Sequence, residues 1–71
     1  MGPVPNLPAE PEDDLESYLG LDATTAEERA RERGWTTVRK LPPGAIITME
    51  YLVGRINFEV ADDAVRRCWH G

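Results

Sequence analysis

One cysteine, Cys68, occurs in the 71 residues. No internal disulfide can therefore form, and a metal clip built on two cysteines is excluded too. His70 is the only histidine, and alone it supports no metal site. No apolar run approaches the ~20 residues of a membrane-spanning helix. The start of the chain also lacks a basic stretch followed by an apolar one, the mark of a signal peptide. The chain as given is thus expected to be cytoplasmic unless a leader was removed, with no membrane partner.

Length is also in short supply. A domain of this size buries only about 60% of the surface its open chain exposes, which leaves little room for a deep cavity of several hundred Å³. Neither an enzyme nor a cofactor is expected. Nor is there an excess of basic residues. The net charge is −5, and five of the acids (Glu10, Glu12, Asp13, Asp14 and Glu16) fall in the first 16 residues, which hold no Lys or Arg. From Ser17 onward eight acids face eight bases. A neutral body without a basic stripe argues against nucleic acid as a partner.

What is present divides into a tail and a fold. MGPVPNLPAEPEDDLES, residues 1–17, has four prolines, five acids and few large apolar residues. Such a segment buries too little surface to offset its ordering entropy, so it reads as a disordered acidic tail. The folding domain is expected over residues 18–71, entered at Tyr18-Leu19-Gly20-Leu21. In DATTAEERARERG, Thr25 and Glu28 fit a capping box, with an earlier helix start at Asp22 or Thr24 left open. Ala26 and Ala30 lie one turn apart and suit close packing on a sheet, while Glu27, Glu28, Arg29, Arg31 and Glu32 face water. Gly34 is the expected left-handed stop.

WTTVRKL, residues 35–41, has the β-branched and aromatic content of a strand, and Pro42-Pro43-Gly44 ends it. From Arg55 to Val60 the pattern alternates. Ile56, Phe58 and Val60 fall on one face; Arg55, Asn57 and Glu59 fall on the other, expected to be wet. Ala61-Asp62-Asp63 reads as a turn, and residues 64–69 as a last strand that pairs back as a hairpin. Trp35, Ile56 and Phe58 are expected in the core. The fold class is α+β: one helix packed on a small mixed β-sheet, with a long extended loop between the two main strands.

That loop, from Pro42 to Gly54, is long for so small a domain. Its Ile46, Ile47, Thr48, Tyr51, Leu52 and Val53 are stiff or bulky residues that favour extended backbone, unlike the Gly and Ser of flexible linkers. Residues 45–53 therefore read as an extended, presented segment. A protease cleft takes such a segment as an added strand, and a pre-shaped loop loses little entropy on docking. Met49, apolar and unbranched, suits an apolar primary specificity pocket. Arg55 is placed to brace the loop, donating to Glu50, the Thr48 hydroxyl or loop carbonyls. Asn57 lies on the same face, with an amide to donate, and is expected to support the loop beside Arg55. Cys68 and His70 invite a nucleophile–base reading. They have no visible orienting group, oxyanion site or pocket, and a structural thiol is the better account.

On Gly44-Ala45-Ile46-Ile47-Thr48-Met49-Glu50-Tyr51, with Arg55 downstream, the chain resembles the potato inhibitor I family of serine protease inhibitors. Leu19-Gly20, the Glu-rich helix and Leu41-Pro42 extend the likeness over residues 18–71. The resemblance implies a reactive bond between Met49 and Glu50. It also implies a binding loop that includes Ile46, Ile47, Thr48, Tyr51 and Leu52, and loop support from Arg55. The partner would be a chymotrypsin-, elastase- or subtilisin-like protease, met by a monomeric inhibitor. Asn57 stands where that family usually has a second supporting arginine. Arg55-Ile56-Asn57 is instead similar to the Arg-Leu-Asn of related small bacterial and fungal peptidase inhibitors. Those often end in Cys-Gly, with that cysteine paired to one near the N-terminus, a pairing that Cys68 cannot make within this chain. Arg66 or Arg67 would be substitutes for the missing cation. The Asn57 change also motivates an alternative: a non-inhibitory protein-interaction module on the same scaffold.

Overall fold

The computed structural model describes residues 11–45 and 50–71. The first ten residues of the expected tail, and Ile46 to Met49 of the loop, lie outside the described residues. A 3-10 turn over Leu15–Tyr18 leads into helix α1 (Ala23–Glu32), followed by strands β1 (Thr37–Leu41), β2 (Arg55–Ala61) and β3 (Ala64–His70). The sheet order is β1-β2-β3, with β1 and β2 parallel and β2 and β3 antiparallel. One helix on a small mixed sheet is the α+β class expected.

Helix α1 starts at the earlier of the positions left open, not at the Thr25 box. The Asp22 carboxylate accepts from the amides of Thr24 and Thr25 at 3.0 and 3.4 Å. Tertiary contacts favour that start: Asp22 bridges to Ala64, and the Ala23 amide donates to the Asp63 carbonyl at 2.8 Å. Ala26 and Ala30 are buried as expected, which lets the helix lie close to the sheet, and Gly34 stops it at φ 104°. Asp62 and Asp63, at φ 52° and 62°, form the two-residue hairpin turn whose left-handed backbone matches strand twist.

The core is Tyr18, Ala26, Ala30, Trp35, Ile56, Phe58 and Val65, with Leu15, Leu21, Val38, Val60 and Cys68 packed around it. Two boundaries differ from expectation. The folded unit begins upstream of Tyr18. Asp13, assigned to the tail, places its carboxylate under the core edge. It accepts there from Trp35 Nε1 at 2.9 Å, Arg33 Nη1 at 2.9 Å and the Tyr18 hydroxyl. The face of β2 expected to be wet is not wet at its first half: Arg55 is 9% exposed and Asn57 fully buried. Both sit on the central strand, where neighbours on each side and the segment after β3 supply polar partners.

Parallel pairing also explains the loop's length. Thr37 stands opposite Arg55, so after Leu41 the chain must run back the whole length of β1 before β2 begins. Parallel neighbours need a connection of a dozen or more residues, and the segment 42–54 between β1 and β2 has that length.

Candidate functional site

The loop leaves the sheet through a turn in which the Ala45 amide donates to the Pro42 carbonyl at 3.2 Å. It returns through Glu50, Tyr51, Leu52 and Val53, all exposed. Tyr51 is 59% exposed, an unusual position for an aromatic ring followed by two more apolar residues. Of the sequence candidates, Ile46, Ile47, Thr48 and Met49 lie outside the described residues. Glu50, Tyr51, Leu52, Arg55 and Asn57 can be placed.

Arg55 gathers this end of the loop. Its Nη2 donates to the Glu50 carbonyl at 2.9 Å and to the main-chain oxygen of Gly71 at 2.6 Å, while Nε reaches the same Gly71 oxygen at 3.1 Å. Among the described residues the loop acceptor is the Glu50 carbonyl; the Thr48 hydroxyl, the other option its sequence left open, lies outside them. Backbone bonds reinforce the arrangement. The Leu52 amide donates to Gly71 O at 3.4 Å, the Gly71 amide to Arg55 O at 2.9 Å, and the Arg55 amide to Leu52 O at 3.2 Å. Donors with a fixed charge and a planar fork hold main-chain oxygens more firmly than neutral ones do.

Gly54 anchors the loop's return to the sheet. Its carbonyl accepts from the Thr36 amide at 3.0 Å, the Thr37 amide at 3.3 Å and the Thr36 hydroxyl at 3.2 Å. A Cβ at this position would lie 2.7 Å from Thr36 Oγ1, and φ is 84°. Both the close approach and the left-handed backbone require glycine.

Asn57 joins all three strands. Its Oδ1 accepts from Arg39 Nε at 2.7 Å, and its Nδ2 donates to the Trp69 carbonyl at 3.3 Å. Arg39 is a residue that sequence reasoning missed. The parallel register sets it directly opposite Asn57, and register cannot be read from strand propensity. Arg66 and Arg67 have their described partners on the hairpin: Asp62 at 3.7 Å, and Glu59 at 3.6 Å together with the Trp69 ring at 5.4 Å.

The nucleophile reading of Cys68 and His70 gains no support. Burial first, and then the Asp13 charge, push the Cys68 thiol up to about 12, which favours the protonated thiol over the nucleophilic thiolate. His70 instead stacks on Trp35 and meets Tyr51 edge-on. No cluster able to hold a metal ion occurs among the described residues, and none of their helices is long and apolar enough to cross a membrane. A shallow groove of about 250 Å³ runs between the 3-10 turn and β3, lined by Leu15, Glu16, Leu19, Arg66, Arg67 and Cys68.

Residues 13–66 match the family model of the peptidase inhibitor I78 family. The matched segment begins at Asp13, in agreement with the place where the described fold begins. No curated protein and no solved structure matches the chain. The match supports peptidase inhibition in general and not potato inhibitor I in particular.

Proposed function

We propose that this chain, which belongs to the peptidase inhibitor I78 family, inhibits serine proteases as a monomer by offering residues 46–52 as a substrate-like strand. Its family is one of inhibitors and not of enzymes, so the protease is the partner and supplies the chemistry. The reactive bond in this reading joins Met49 to Glu50, with the Met49 side chain in an apolar specificity pocket of chymotrypsin-, elastase- or subtilisin-like type. The likeness of Gly44–Tyr51 to the potato inhibitor I loop supports that placement.

The enzyme's serine oxygen attacks the Met49 carbonyl carbon, and its proton passes to the catalytic histidine. The bond to the Glu50 nitrogen breaks as the histidine returns that proton to the leaving amine, which leaves Met49 as an ester on the serine. An ordinary product would then diffuse away. Here Glu50 remains tied by its carbonyl to Arg55, so its amine stays close to the ester carbon. Reversal then needs only loss of the amine proton to the histidine, attack on the ester and release of the serine oxygen. Attack from a held position competes well with attack by water.

The observation that carries the reading is Arg55, 9% exposed, whose guanidinium bridges the Glu50 carbonyl and Gly71. The test is titration of chymotrypsin, elastase and subtilisin with the purified protein. Expected are stoichiometric inhibition, slow cleavage at Met49–Glu50 only, and a shift toward trypsin in Met49→Lys. Rapid and complete digestion without inhibition overturns the proposal.

A further inference from the structure

A column of three aromatic rings runs from the core to the loop, and loop support from arginine leaves it unexplained. Trp35 is 3% exposed and its indole N–H is fixed on Asp13 Oδ2 at 2.9 Å. The His70 ring stacks on it, with centroids 6.5 Å apart and planes 28° from parallel. Tyr51 meets His70 edge-on at 6.2 Å and 89°, with its hydroxyl 3.2 Å from His70 Nδ1. A further described neighbour of Tyr51 is bare backbone: a Cβ on Gly71 would lie 2.6 Å from Tyr51 Cε2 and 2.7 Å from Cδ2. The ring therefore rests on an α-carbon with no side chain to keep it away.

Each link is a contact that aromatic rings favour beyond simple burial. The anchor is rigid because Trp35 is packed in the core and hydrogen-bonded. Tyr51 is the second residue after the proposed reactive bond, so the column acts on the part of the loop that carries the leaving amine. Arg55 holds that part by the Glu50 carbonyl; the rings hold it by the next side chain.

We propose that the Tyr51–His70–Trp35 column is a latch on the leaving-amine side of the reactive bond, with His70 and Trp35 as positioning residues that prolong the protease complex. It supplies bracing that does not need a second arginine at position 57. This deepens the proposed inhibition and rests on that reading. His70 is the residue to change, because Trp35 also builds the core and Tyr51 would touch the protease.

The experiment compares the full chain with His70→Ala and His70→Phe, using one protease that the unaltered protein inhibits. Measured are the dissociation rate of the complex, the equilibrium between intact and cut Met49–Glu50 bond, and Tm. In His70→Ala, dissociation and the cut fraction both rise about tenfold, the combined worth of two ring contacts. His70→Phe restores the stack and returns both to within about twofold of the unaltered protein. Unchanged dissociation and cutting in His70→Ala, or His70→Phe as impaired as His70→Ala, overturns the latch. If the unaltered protein inhibits no protease, the inhibition reading fails, and exchange of the Leu52 amide in the free protein decides the latch. A roughly tenfold faster exchange in His70→Ala supports it, and an unchanged rate overturns it.

Discussion

Asp13 and Arg55 each keep a full charge out of water, and they spend it differently. Asp13, whose side chain is 6% exposed, collects side-chain donors from three places: Tyr18 at the 3-10 turn, Arg33 after α1, and Trp35 before β1. Arg55 is bonded to main-chain oxygens of Glu50 in the loop and Gly71 after β3. One charge knots the core; the other ties a loop to the sheet. Their removal should therefore part company, with Asp13 felt in stability and Arg55 felt in whatever the loop does.

The largest effect is expected at Arg55. Arg55→Ala removes three hydrogen bonds made by a buried cation, each worth more than a neutral one. Inhibition should weaken roughly 100-fold or more, and cleavage at Met49–Glu50 should become rapid. Arg55→Lys keeps the charge but has no planar fork, and should recover only part of the loss. Inhibition constants and cleavage rates for the two variants check this. Full inhibition by Arg55→Ala would remove the contrast with Asp13.

Asp13 comes next. Asp13→Ala leaves the buried indole N–H of Trp35 and the Tyr18 hydroxyl short of an acceptor, at a cost of about 2–3 kcal/mol in chemical denaturation. Burial pushes this carboxyl's pKa up. Hydrogen bonds from Tyr18 and Trp35 and the Arg33 charge push it down, and the net position lies below the ordinary 3.8. A carboxylate with a depressed folded pKa contributes stability that is complete above the unfolded value and is lost as pH falls through the folded one. The acid side of the stability curve should therefore be shallower in Asp13→Asn than in the unaltered protein.

These two charges also show what can be read in a chain before its fold is known. Arg55 was legible because it begins an alternating run directly after a stiff apolar loop. Ile56, Phe58 and Trp35 were legible as core for similar local reasons, and Ala26 and Ala30 from their one-turn spacing. Asp13 was not: it sits among Glu12, Asp14 and Glu16, and composition averages over neighbours while burial selects one of them. Arg39 and the dry setting of Asn57 were hidden for another reason. Both depend on which strand lies beside β2 and in what register, which alternation within one strand does not encode. The ring column combines the two difficulties, since Trp35, Tyr51 and His70 come from three separate segments.

The alkaline side of the stability curve sharpens the picture of the Asp13 corner. Burial, then the Asp13 hydrogen bond and charge, raise Tyr18 from 10.0 to about 12, and burial with the Asp13 charge raises Cys68 from 9.0 to about 12. Both groups are neutral when protonated, and the fold binds their protons more tightly than the open chain does. Their contribution is complete below the unfolded values and is lost as pH rises toward about 12. Stability should begin to fall near pH 9. In Cys68→Ala the thiol's share vanishes, and the decline should begin about one unit later, with Tyr18. Denaturation at a series of pH values from 8 to 12 reads the difference.

The smallest effect is expected where charges pair in water. Glu27 accepts from Lys40 at 2.8 Å and from Arg31 at 3.0 Å, and these partners, Lys40 first, draw its carboxyl below its usual value. By distance alone the pairing resembles Asp13 with Arg33. The side chains of Lys40 and Arg31 are 46% and 52% exposed, however, so water and salt screen what the geometry suggests. Exposed pairs of this kind contribute about 0–1 kcal/mol, and Lys40→Ala should change stability by no more than that. The small difference should shrink further as salt rises and the screening length falls. A loss in Lys40→Ala as large as in Asp13→Ala would show that distance, and not burial, sets the worth of a charge in this fold.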